Sequence, residues 1–136
     1  MERTKFENLH IYKLSENLAD RVWNIVSIWD YFSKDTIGKQ LVRATDSIGA
    51  NIAEGTGRYG ILDNRRFAYI ARGSLNETKH WLRRAFSKKS LKPEDVQEIK
   101  IIIDELAPKL NAYINSLNRM KNKSTNDDPR STNKNP

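Results

Sequence analysis

Apolar residues recur along this chain at helical spacing in four stretches, separated by polar runs. Leu18, Val22, Ile25, Trp29 and Phe32 step by 4, 3, 4 and 3, which predicts one face of a helix over about 9–32. Ser33, Lys34, Asp35 and Thr36 break the pattern, and Asp35 or Thr36 can cap the next element. A second helix over about 37–57 sets Ile37, Leu41, Ile48 and Ile52 on one side and ends among Gly55, Gly57 and Gly60, which punctuate rather than sustain a helix. A third, over about 63–88, aligns Phe67, Ala71, Ser74, Thr78, Trp81 and Ala85. The fourth opens at Pro93, with Glu94 and Asp95 suited to the positive end of a helix dipole. Its stripe is Val96, Ile99, Ile103, Leu106, Leu110, Tyr113, Leu117 and Met120, interrupted by Pro108, where a kink or a break is expected.

Four amphipathic helices with short connections predict an all-α protein, an antiparallel up-down-up-down four-helix bundle over residues 1–120. No strand pattern competes. Residues 121–136 consist of Ser, Thr, Asn, Asp, Lys, Arg and Pro alone, so a disordered polar C-terminal tail is expected there.

Composition narrows the class. The chain has 136 residues, 38% hydrophobic and 30% charged, enough for one domain with a core. Cysteine is absent, which excludes disulfides, iron–sulfur clusters and cysteine zinc sites. No apolar run approaches the roughly 20 residues that span a bilayer, and Met1 to Lys5 lead into a polar stretch rather than a signal-peptide core. The expectation is a cytoplasmic protein with no membrane partner.

The formal charge of +7 is unevenly spread. Residues 61–92 hold nine cations against Asp63 and Glu77. A localised basic element points to a polyanion better than a diffuse excess does. On the third helix, Arg65, Arg72, Lys79 and Arg83 fall within roughly 40° of one another at about 100° per residue. Tyr69 lies beside them, and the Phe67/Ser74/Trp81 face points nearly opposite. The row rises roughly 27 Å, and Arg84, Lys88 and Lys89 carry the charge past the helix end. Such a ridge can track a phosphate backbone while Tyr69 stacks on a base. A solvated helix face is the alternative, but Glu77 is the one nearby carboxylate within the helix to offset those cations.

The second helix carries a polar seam beside its apolar stripe. Gln40, Ala44, Ser47, Asn51, Glu54 and Arg58 step by 4, 3, 4, 3 and 4. With Arg43, and with Ser74 and Glu77 of the third helix, they can form either a structural network that fixes helix pairing or a subunit interface, or a ligand site around Asn51 and Glu54.

Catalytic and metal sites find little footing. Glu7-x-x-His10 and Glu77-x-x-His80 have the spacing of dimetal bundle motifs. Yet His80 falls roughly 140° from the predicted core face, and the two motifs sit at levels differing by about 20 Å. Gly55, Gly57 and Gly60 have the spacing of a GxGxxG string but end a helix rather than cradle a phosphate, and no nucleophile–histidine–carboxylate set is present. The reading is a non-enzymatic protein without cofactor or metal.

Two segments carry a family pattern. Gln40-Leu41-Val42-Arg43-Ala44, Ser47-Ile48 and Asn51-Ile52-Ala53-Glu54-Gly55, with Arg58 beyond, form the first. Phe67-Ala68-Tyr69-Ile70-Ala71-Arg72-Gly73-Ser74-Leu75-Asn76-Glu77 form the second. Together they resemble the four-helix-bundle proteins encoded in intervening sequences of bacterial 23S ribosomal RNA genes, a family similar to the accessory variability determinant proteins of diversity-generating retroelements. The likeness runs from about Phe6 to Met120. It implies a ring-like homopentamer and, by likeness to the accessory branch, RNA or DNA and a reverse transcriptase as partners. A scaffold that docks a protein partner without binding nucleic acid is the rival reading.

Overall fold

The computed structural model describes Phe6 and residues 9–127, the side chains as far as Lys123. Four long helices succeed one another: α1 (His10–Ser27), α2 (31–56), α3 (Ile61–Ser87) and α4 (Pro93–Asp127). Helix α2 is compound, an α-helical turn Tyr31–Ser33, a π-helical turn Lys34–Gly38 and the α-helix Lys39–Thr56. Each helix packs against its two neighbours around a closed square, α1 on α2, α2 on α3, α3 on α4 and α4 on α1. This is the antiparallel up-down-up-down bundle expected from the four stripes.

The stripes meet in the middle. Leu18, Val22, Leu41, Ile48, Ile52, Leu106, Leu110 and Ile114 are all buried, and each such side chain contributes roughly 1.5–3 kcal/mol by leaving water. Helices α2 and α3 make the closest pair, because their facing positions are small: Ala44 and Gly55 on one, Ala68, Ala71, Ser74 and Ala85 on the other. Three buried hydroxyls, those of Ser15, Thr45 and Thr78, bond back to their own helices. Ser15 Oγ donates to the Ile11 carbonyl at 2.7 Å and Thr78 Oγ1 to the Ser74 carbonyl at 2.9 Å, so neither goes unsatisfied. On the surface, α1 is clipped to α4 by Arg21–Glu98 at 3.0 Å and His10–Glu105 at 2.8 Å.

The end of α1 differs from the sequence expectation. It stops at Ser27 rather than near Phe32, and Asp30, not Asp35 or Thr36, caps the next helix. The Asp30 carboxylate accepts from the Ser33 amide at 3.1 Å and the Ser33 hydroxyl at 2.8 Å, and these bonds hold its carboxyl below the usual range. The polar run Ser33 to Thr36 is helical rather than a break. At the π turn the Lys39 amide reaches back to the Lys34 carbonyl, five residues away, which absorbs one extra residue. In consequence Trp29 is half-buried and Phe32 is exposed.

Helix α4 opens as expected, with Pro93 in its first turn and the Lys92 amide donating to the Asp95 carboxylate at 3.3 Å. It does not break at Pro108, an exposed position where a missing amide is least costly. The helix also continues through 121–127, past the boundary expected at 120. The rest of the expected tail, 128–136, lies outside the described residues.

Between α3 and α4 the chain turns through Lys89, whose φ of 63° is left-handed. Its amide donates to the Phe86 carbonyl at 3.0 Å and that of Ser90 to the Ala85 carbonyl at 2.9 Å. These are the paired bonds of a Schellman cap, a position usually taken by glycine. Lys89→Gly is therefore expected to raise stability by about 1 kcal/mol in denaturant titration, by relieving a lysine held in this conformation.

Two helical glycines have opposite surroundings. A Cβ on Gly38 would stand 2.8 Å from Val26 Cγ1 and 3.0 Å from the Ser33 carbonyl oxygen, whereas one on Gly73 would meet nothing within 4 Å. Gly38→Ala should cost about 1–3 kcal/mol through overpacking. Gly73→Ala should stabilise the folded chain by about 1 kcal/mol through helix propensity. Thermal melts of the two variants should move in opposite directions.

Candidate nucleic-acid interface

The basic row of α3 lies over its seam with α4. Arg65 and Arg72 are half-buried rather than fully outward, because each guanidinium leans onto the neighbouring helix. Arg65 Nη1 donates to Asn118 Oδ1 at 3.1 Å and Arg72 Nη1 to Asn111 Oδ1 at 3.3 Å. Tyr69 sits between them, 5.9 Å from the Arg65 guanidinium carbon and 4.9 Å from that of Arg72, measured to its ring centre. The Tyr69 hydroxyl accepts from Asn118 Nδ2 at 3.4 Å. Partial burial thus corrects the picture of a row pointing freely away from the bundle, while Tyr69 remains 39% exposed.

The chemistry of these partners matters. An asparagine amide oxygen can orient a guanidinium and leave its charge intact, whereas a carboxylate would cancel it. Among the described residues, none of Arg65, Arg72, Lys79, Arg83, Arg84, Lys88 and Lys89 stands in an ion pair with a carboxylate. Nearby acids are committed elsewhere: Asp63 to Arg66 at 3.5 Å, Asp104 to Lys100 at 2.6 Å and Glu77 to Arg43 at 3.9 Å. The α3 cations therefore form a positive face held in register but not neutralised.

Farther along the same face, Lys79 and Arg83 flank an apolar groove between α3 and α4. Arg84 is one helical step, about 100°, around from Arg83, and Lys88 and Lys89 lie at the Schellman turn. The structure thus brings Arg65, Tyr69, Arg72, Lys79 and Arg83 onto one face and leaves Arg84, Lys88 and Lys89 at its end. Asn111 and Asn118 escape the sequence reading. Their seven-residue separation, equal to that of Arg65 and Arg72, is the signal that could have found them.

The polar seam runs between α2 and α3. Ser74 Oγ donates to Ser47 Oγ at 3.0 Å, and Asn51 Nδ2 donates to the Ser47 hydroxyl at 3.0 Å and the Ser47 carbonyl at 2.8 Å. At one end Arg43 donates to Gln40 Oε1 at 2.9 Å and approaches Glu77, which also accepts from Trp81 Nε1 at 3.2 Å. At the other end Glu54 pairs with Arg58 at 3.1 Å, and the Arg58 guanidinium lies 4.9 Å from the ring centre of Phe67. Asn51 reaches Ser74 through Ser47 rather than directly.

The two histidines are far from any shared site. His10 bonds Glu105 of α4, and His80 is exposed with its ring edge-on to Trp81 at 4.7 Å. Glu7 lies outside the described residues. Among the described residues no three His, Asp or Glu side chains converge as metal ligands, and no helix is long and apolar enough to cross a membrane.

Architecture and motif placement together define a class: a small antiparallel helical bundle with one uncompensated basic face. The family model of the 23S rRNA-intervening sequence protein matches residues 7–112, and the chain belongs to that family. It is also similar to a crystal structure, at 1.70 Å resolution, of a protein with unknown function from the S23 ribosomal protein family of Bacteroides thetaiotaomicron VPI-5482. The two share 26% identity with a TM-score of 0.68, over 76% of this chain and 97% of that one. No curated protein matches the chain.

The seam makes a quantitative prediction. Ser47→Ala should cost about 1 kcal/mol by removing the acceptor of the Ser74 hydroxyl, while Asn51 keeps its bond to the residue-47 carbonyl. In a double-mutant cycle, Ser47→Ala with Ser74→Ala should cost less than the sum of the singles, since both remove the same bond.

Proposed function

We propose that this protein is a non-enzymatic, cytoplasmic homo-oligomer that binds RNA or another nucleic acid through the α3–α4 face. The observation that carries the reading is the pairing of Arg65 and Arg72 with neutral asparagines. Their positive charge, and that of Lys79 and Arg83 beyond, stays available to phosphates spaced along a strand. Membership of a family named for ribosomal RNA intervening sequences is consistent with a nucleic-acid partner.

Oligomerisation, as a homopentamer on the family resemblance, is favoured by a separate feature. Trp23, Ile28, Tyr31 and Phe32 are 61%, 74%, 79% and 75% exposed around the α1–α2 turn. Large apolar side chains gathered at one end mark a contact surface, and a ring would repeat the basic face and multiply weak contacts. The same cluster favours the second reading, a scaffold docking a protein such as a reverse transcriptase.

Electrophoretic mobility shift and fluorescence anisotropy test the first reading. Binding to RNA should weaken steeply between low and moderate salt. Arg72→Glu with Lys79→Glu should abolish it while circular dichroism stays helical. Absence of any shift at low salt transfers the assignment to the scaffold. Light scattering reads the number of subunits.

A further inference from the structure

The groove beyond the arginine–tyrosine cluster has features that a phosphate track alone does not require. It has a volume of about 380 Å³ and an apolar floor of Leu82, Leu91, Val96, Ile99 and Ile103, within the size range of sites for small flat ligands. Phe86 stands at its wall, 59% exposed. Lys79 and Arg83 flank it without a carboxylate partner among the described residues, and Lys100 completes the rim, paired with Asp104.

We propose that this groove is a base-binding slot, occupied by an unpaired nucleobase stacked on Phe86 while Lys79 and Arg83 hold the adjacent phosphates. The inference rests on the nucleic-acid reading above and adds to it the substrate class: single strands or looped-out bases, not continuous duplex. Charge complementarity selects the occupant. Apolar floor and cationic rim match a nucleotide, which joins a π surface to an anion. An acidic amphipathic helix would need apolar anchors over several turns. Here the apolar floor contributed by α4, Val96, Ile99 and Ile103, spans only about two turns, and the seam toward Tyr69 is closed by the polar Arg72–Asn111 contact.

Tyr69 supplies a second stacking surface on the same helix, about 100° around from Phe86. It lies 17 residues from Phe86 along one helix, about 25 Å by helical rise. Bases inside a duplex are stacked on each other and present only their edges, so two aromatic stations of this kind reward a strand whose bases can turn outward.

Anisotropy titrations with three labelled probes test the slot: a single-stranded oligouridylate, a perfect RNA duplex of equal length, and a strand of that length with abasic positions. The single strand should bind about tenfold tighter than the other two. Phe86→Ala should remove most of that preference without changing the salt slope, and Phe86→Tyr should retain it. A 2-aminopurine placed in the strand should lose fluorescence on binding to the unmodified protein and not to Phe86→Ala. Equal binding of all three probes overturns the slot and leaves the basic face standing. No binding of any probe at low salt overturns both. Capture of an acidic amphipathic peptide, lost in Phe86→Ala, with no preference for the single strand, overturns the slot in favour of a peptide.

Discussion

The close approach of α2 and α3 governs the arrangement of the whole bundle. Glycine, alanine and serine at the contact let the two backbones come near, and a virtual Cβ on Gly55 would stand 2.7 Å from Asn64 Oδ1 and 2.9 Å from Phe67 Cβ. A surface so smooth could slide or rotate. The hydroxyl contact from Ser74 to Ser47 pins it, as paired buried polar groups do. Once the small face of α3 is committed to α2, its long cationic side chains have one place to go, the seam with α4. Rotation of one helix in the core therefore decides where charge gathers on the surface.

Charge there is managed by exclusion. Carboxylates on the molecule pair with Arg21, Arg43, Arg58, Arg66 and Lys100, all outside the row of Arg65, Arg72, Lys79 and Arg83. The positions of α4 that meet the two arginines carry amides instead. Across the bundle, Asp46 shows the converse: burial, and behind it the charge of Asp20, pushes its carboxyl upward.

Much of this is legible in the amino-acid order. Period 3.6 fixes the phase of a helix, so Leu18, Leu41, Ala71 and Leu106 can be placed in the core and the arginines of α3 placed together. Phase along one helix does not state what the next helix presents, which is why Asn111 and Asn118 are invisible to it and the row reads as pointing outward. Polar runs are also ambiguous: Ser33 to Thr36 reads as a loop, and only the bonds from Ser33 to Asp30 reveal a capped helix start. Pro108 shows the limit of a local rule, since a long, externally placed helix tolerates one absent amide on its solvent side.

The π-helical turn at Lys34–Gly38 acts as a phase shifter. By holding one surplus residue it rotates everything upstream, Tyr31 and Phe32 included, by roughly 100° relative to the rest of α2. A sequence shorter by one residue at this point could keep the same core yet turn a different pair of side chains toward the outside. The identity of the aromatic surface at that end is thus encoded by chain length as much as by residue type.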